Sequence, residues 1–234
     1  PAKLTEATRQ RVIDSANDVG YQLVRRESQM APSSKVRSTI IFIVDEISTD
    51  PWMALAFEGA HNKALEYGIN VCLAVSHGNA NIEASIVNQM ADSNVIGFLY
   101  GTILTRLVEL PPALSKKPTV LVNCYDSTRT LPSVLPGDLV GGRAATERLI
   151  SAGRKRVAII NGQKGVDASR DRLKGYKQAL ASNDMPFHPE LVRPGNWEPS
   201  TGYSMTHELM ALDNPPEPIF CANDWMALGC FFCF

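Results

Sequence analysis

Two kinds of apolar pattern alternate along most of this chain. Short runs such as TIIFIV and VIGFLY are apolar at nearly every position, and between them apolar residues recur every three or four places. The runs predict strands at residues 39–44, 69–75, 95–100, 119–123, 157–161, 191–193 and 219–222. The helical spacing gathers Met53, Ala56, Phe57, Ala60 and Ala64 on one face, then Ile82, Ile86 and Met90, and later Leu173, Tyr176 and Leu180. Two more helices are expected over about 141–152 and 201–212. Strands separated by helices of this length are βαβ units, and strands apolar on both sides belong to a parallel sheet covered on both faces.

The first stretch, residues 4–21, stands apart. LTEATRQRVIDSANDVGY predicts a helix capped by Thr5, favoured by Glu6 in its first turn, stopped at Gly20 and apolar at Val12, Ala16 and Val19. A polar, basic stretch follows up to residue 38. A second break is expected at LISAGRKR, residues 149–156, where a helix ends at Gly153 and three basic residues lead into a new strand. These breaks divide the chain into segments 1–37, 38–155 and 156–234. The last helix is expected to begin within PIFCANDWMALG and to stop abruptly at GCFFCF, which leaves the third segment with three strands and an unfinished helix.

Composition narrows the function. The chain has 234 residues, is 44% apolar and carries a net charge of −1, so a nucleic-acid surface spread over its whole length is excluded. The charge is uneven: residues 1–37 hold seven basic and four acidic side chains, a net of +3, which suits contact with DNA. Five cysteines without framework spacing read as reduced thiols, as in the cytoplasm. No apolar run approaches the ~18 residues of a membrane span, and no signal peptide is expected. Phosphate-binding glycine loops and the nucleophile-elbow motif are missing, so no enzyme is expected. Gly141-Gly142 reads as close helix packing. The four histidines lack metal spacing, and Cys230-x-x-Cys233 has no second pair, so neither a metal nor a cofactor is expected.

In open α/β sheets ligands bind beyond the C-terminal ends of the strands. All three tryptophans fall there: Trp52, Trp197 and Trp225. Their polar companions are Asp45, Glu46, Ser48 and Asp50, then Asn196, then Asn223 and Asp224. Indole faces stack on sugar rings, and planar carboxylates and amides bind hydroxyl pairs. The same tryptophans also suit loop anchors. Arg170 and Arg172 open a helix after the 157–161 strand, an unfavourable position for a cation that points to a clamping role for one of them.

These residues, taken together, resemble the LacI/GalR family of bacterial transcription regulators. LTEATRQRVIDSANDVGY is similar to the last helix of that family's DNA-binding headpiece. PTVLVN and GGRAATERLISAGRKRVAIING are similar to the passage between its sensor subdomains, and ASRDRLKGYKQAL, GNWEPSTGY and PIFCANDWMALG to three successive motifs of the second. The resemblance implies a remnant of a helix-turn-helix headpiece followed by two Rossmann-like lobes with parallel sheets, of the type I periplasmic-binding-protein kind. The second lobe is expected to be incomplete. It implies a small effector, here a sugar, held between the lobes of a homodimer that binds operator DNA.

By motif position Arg172 resembles the effector-clamping arginine and Trp197 the stacking aromatic. Asn223 and Trp225 follow the strand where effector contacts occur. Asp50-Pro51-Trp52 replaces the family's Asn-Pro-Phe, and Leu139 is expected to line the cleft. With Asp45 these are the expected effector contacts. Arg25, Arg26 and Met30 fall in the hinge, where Met30 replaces a minor-groove leucine. The recognition helix and the family's final strands are expected to be missing. The expected function is a cytoplasmic, ligand-responsive regulator, most simply a repressor. The alternatives are a secreted sugar-binding protein of a transporter, or a regulator with a purine or nucleoside effector.

Overall fold

The computed structural model describes Thr5, Ala7, Thr8, Gln10, Arg11, Asp14 and Ser15, and residues 38–49, 51–90 and 94–234. The chain divides into two compact units, Pro1–Val36 and Arg37–Phe234. In the first, Ala7, Thr8, Gln10, Arg11, Asp14 and Ser15 are helical. The Thr8 amide donates to Thr5 Oγ1 at 3.3 Å, so Thr5 caps the helix as its sequence predicts. Val12, Ala16 and Val19, the hinge residues Arg25, Arg26 and Met30, and Asp50 lie outside the described residues.

The second unit holds two parallel sheets. β1 (Thr39–Val44), β2 (Asn70–Val75), β3 (Val95–Leu107), β4 (Thr119–Tyr125) and β5 (Ser133–Val134) form the first, in the order β2-β1-β3-β4-β5. β6 (Ala158–Ile160), β7 (Val192–Arg193) and β8 (Ile219–Cys221) form the second, in the order β7-β6-β8. The helices are α1 (Trp52–Glu66), α2 (Ala80–Met90), α3 (Asp138–Ser151), α4 (Asp167–Ser182), α5 (Pro199–Met210) and α6 (Asp224–Phe231).

Alternation along the strands decides which layer each side chain joins. In β1, Ile41 and Ile43 pack with Phe98, Leu121 and Val87 on one face, while Phe42 and Val44 pack with Met53 and Ala64 of α1 on the other. Both faces are therefore buried, which is why this strand is apolar throughout. The second sheet repeats the arrangement: Ala158 and Ile160 meet Leu209 and Met226, and Ile159 meets Tyr176 and Leu180.

Leu149 and Ile150 of α3 join the core of the second sheet. Two glycines permit that contact. A Cβ at Gly142 would lie 2.4 Å from the Arg172 carbonyl oxygen, and one at Gly175 would lie 2.2 Å from that of Leu139, so α3 and α4 meet backbone to backbone. In α2 the residue turned inward is Glu83 rather than Ile82, which is 40% exposed; Glu83 Oε1 accepts from Tyr100 at 2.8 Å and Ser76 at 3.0 Å, which lets it be buried. The last helix, Asp224–Phe231, stops within GCFFCF, as its sequence predicts.

Candidate functional site

In each sheet the chain winds outward in both directions from its first strand, so the order reverses between β1 and β3 and again between β6 and β8. Crevices form at such switch points, at the carboxyl ends of the strands. Here the two crevices share one cavity of about 900 Å³ between the lobes.

The first wall rests on an irregularity in β3. Its ladder with β4 pairs Gly101 with Val122 and resumes at Arg106 with Cys124, so residues 102–105 stand opposite Asn123 alone. The bulge leaves backbone groups without ladder partners, and the Asn123 side chain replaces them. Its Nδ2 donates to the carbonyls of Thr102 at 2.9 Å and Ile103 at 3.1 Å, and its Oδ1 accepts from the Thr105 hydroxyl at 2.5 Å. Asn123 sits at φ 58°, in the left-handed region that asparagine tolerates better than most residues. Asp45 accepts from the Ile103 amide at 2.9 Å, and Trp52 Nε1 donates to the Ile103 carbonyl at 3.1 Å. The bulge so held presents Ile103, Leu104 and Thr105 to the cavity, beside Trp52, Ala56, Val122, Leu135 and Pro136.

The second wall is built from side chains on α4, on the loop into α5 and at the start of α6. Arg172 donates from Nε and from a terminal nitrogen to Asp138, both at 2.8 Å, and from its other terminal nitrogen to the Ala222 carbonyl. Asp138 is buried in the first turn of α3, where the helix dipole favours its charge. The Trp197 ring lies 5.6 Å from the Arg172 guanidinium and close to Gly162, where a Cβ would stand 1.9 Å from the ring. Trp197 holds φ 75°, and its carbonyl accepts from Asn223 Nδ2 at 2.9 Å. Asn223 Oδ1 also caps α6 by accepting from the Met226 amide at 3.0 Å. Trp225, 45% exposed, completes this wall with Asn196, Glu198 and Pro199.

One contact crosses between the lobes beside the cavity. The Tyr125 hydroxyl at the end of β4 donates to Asp167 at the start of α4 at 2.5 Å, and Arg129 lies 3.5 Å from the centre of the Tyr125 ring. The carboxylate that accepts this proton holds the phenol above its ordinary pKa.

The cavity brings together Trp52, Arg172, Trp197, Asn223 and Trp225 of the residues expected from sequence. Asp45 is corrected: it does not line the cavity, because its carboxylate faces the Ile103 amide and Arg106, at 3.1 Å. Burial outweighs that pairing and raises its pKa. Leu139 is also corrected. It is half-buried in the turn of α3 that packs on α4 and lies outside the lining. Arg170 takes no part, being 63% exposed and paired with Asp167 and Asp171. Thr105, Asn123 and Glu198 were missed. Asn123 had a signal, as the polar end of the apolar run PTVLV, whereas nothing in TILT marks a bulge. Among the described residues no group of three acidic, histidine or cysteine side chains could hold a metal.

Residues 37–234 match the family model of periplasmic binding proteins and the sugar binding domain of the LacI family. The chain belongs to this family. It is 29% identical over 227 residues to the catabolite control protein A of Priestia megaterium, covering 95% of this chain and 67% of that protein. To the HTH-type transcriptional repressor CytR of Escherichia coli K12 it is 29% identical over 231 residues, covering 98% of this chain and 67% of the repressor. Among solved structures it is similar to the complex of the transcriptional regulator CelR with cellobiose, with 24% identity and a TM-score of 0.66 over 99% of this chain and 69% of that one. This LacI-family chain thus spans about two thirds of the length of those relatives, which are transcriptional regulators rather than enzymes. Among the described residues no helix is long and apolar enough to cross a membrane.

Proposed function

We propose that this chain is the effector-sensing part of a cytoplasmic, LacI-family transcriptional repressor whose effector is a small carbohydrate held between the two lobes. The observation that carries this reading is the shared cavity at two switch points, with Trp52 in one wall and Trp197, Trp225 and the Arg172 guanidinium in the other. Indole faces pack on the C–H faces of a sugar ring, and Arg172 keeps free N–H donors for hydroxyls beyond those given to Asp138 and Ala222. Because each lobe supplies one wall, an effector touching both stabilises one lobe arrangement over others, and that differential binding is what a regulator passes to its operator DNA. Exposed Leu55, Leu65 and Tyr67 on and beside α1 support a homodimer.

A thermal-melt screen against monosaccharides, disaccharides, purines and nucleosides tests the reading. A carbohydrate is expected to raise the melting temperature. A nucleoside or purine acting alone would replace the carbohydrate reading with a nucleobase sensor.

A further inference from the structure

We propose, resting on the carbohydrate reading above, that the cavity selects an uncharged sugar and rejects acidic ones, the uronates and sugar phosphates.

The charge around the cavity sets this selectivity. Its lining carries one cation, Arg172, and two carboxylates, Glu46 and Glu198. Arg172 would ordinarily attract an acidic ligand. Here its charge is matched by Asp138, which it contacts at 2.8 Å and which is only 6% exposed. Asp138 sits in the first turn of α3 and accepts from the guanidinium there as an ion pair. What Arg172 offers a ligand is therefore hydrogen-bond donors without net positive charge. Neither Glu46 nor Glu198 is in an ion pair among the described residues. Ser48 donates to Glu46 at 3.2 Å, and Glu198 stands exposed at the start of α5 without capping its helix. Of the arginines near the cavity, Arg106 is paired with Asp45 and Arg170 with Asp167 and Asp171, while Arg129 packs on the Tyr125 ring outside the lining.

The charged groups of the lining thus carry a formal net negative charge. A carboxylate or phosphate there meets like charge and leaves water without a free cation to replace it. A neutral sugar meets carboxylates that accept from its hydroxyls, guanidinium N–H groups that donate to them, and three indoles.

The test compares matched pairs that differ by an acidic group: glucose with glucuronate and with glucose 6-phosphate, galactose with galacturonate, and cellobiose with cellobionate. Calorimetric dissociation constants are measured at low ionic strength for the wild type and for the double variant E46Q/E198Q. The expected result is one neutral sugar bound at least about tenfold more tightly than its acidic partner. Added salt should narrow that ratio, and the double variant should narrow it several-fold. An acidic sugar bound as tightly as its neutral partner, or a ratio unchanged in the double variant, overturns this inference and leaves the carbohydrate reading standing. Binding of none of the sugars overturns both.

Discussion

The two walls of the cavity are made in different ways. In the first lobe the polar side chains near the ligand space are occupied in holding backbone: Asn123 fills the β3 bulge, Asp45 holds the Ile103 amide, and Trp52 donates to the Ile103 carbonyl. What reaches the cavity is a largely apolar surface of fixed shape. In the second lobe the chemistry is on side chains. Arg172 stands on α4, Trp197 on the loop before α5 and Trp225 in the first turn of α6, and Trp197 Nε1 has no hydrogen-bond partner. Glu46 apart, the contrast assigns shape to one wall and recognition to the other, and it predicts that damage to each will have a different signature.

The largest effect is expected from Arg172→Ala, which removes donors from the recognising wall and leaves Asp138 buried without its partner. Stability should fall by about 3 kcal/mol, the low end for a broken buried pair because the Arg172 side chain is 26% exposed. Denaturant melts measure the loss. Replacing Asp138 with Asn in the same chain should recover part of the stability but none of the effector response. If the double variant responds normally, Arg172 is a scaffold residue only.

Next comes Asn123→Ala. It abandons the bulge and places alanine at φ 58°, and about 2–3 kcal/mol of stability should be lost. Because the first wall supplies shape, affinity for every sugar should fall together, with little change in their order. A reordering of preferences would show that this wall also recognises.

A smaller effect is expected between the walls. Tyr125→Phe removes the hydrogen bond to Asp167 and should cost less than about 1 kcal/mol in denaturant melts. Its clearer readout is the distance between the lobes, followed by scattering or paired fluorescent labels, which should favour the more open arrangement.

The smallest concerns pH. Burial raises the Asp45 pKa, so the folded state holds that proton more readily than the unfolded state does. Its contribution to stability is therefore greatest below the ordinary aspartate value near about 4 and is lost as pH rises through the raised value. Asp45→Asn keeps an acceptor for the Ile103 amide and should remove this slope. Relative to wild type, the variant should gain stability as pH rises from about 4 to about 7.

The layers of the fold were legible in the sequence because both sheets are buried on two faces, and that writes runs such as TIIFIV plainly. Harder to read was what closes the sheets. β5 is only two residues long, too short for any pattern. The β3 bulge lies within β-branched sequence that would equally suit a regular strand. α3 reads as the end of the first lobe, yet its partners Ile159, Tyr176 and Leu180 lie later in the chain. Of the site, the second wall was the readable one, since tryptophans and an arginine at strand ends declare themselves. In the first wall Asp45 looked like a ligand group because a sequence shows the carboxylate but not the amide it faces. Asn123 and the backbone it supports carry no comparable mark.

The most direct test of the two-wall account is hydrogen exchange on the chain with and without saturating cellobiose, or whichever neutral sugar binds best. The account predicts slowed exchange in residues 102–105 and in the loops carrying Trp197 and Asn223 at once. Protection confined to one lobe, or found away from the cavity, would contradict it.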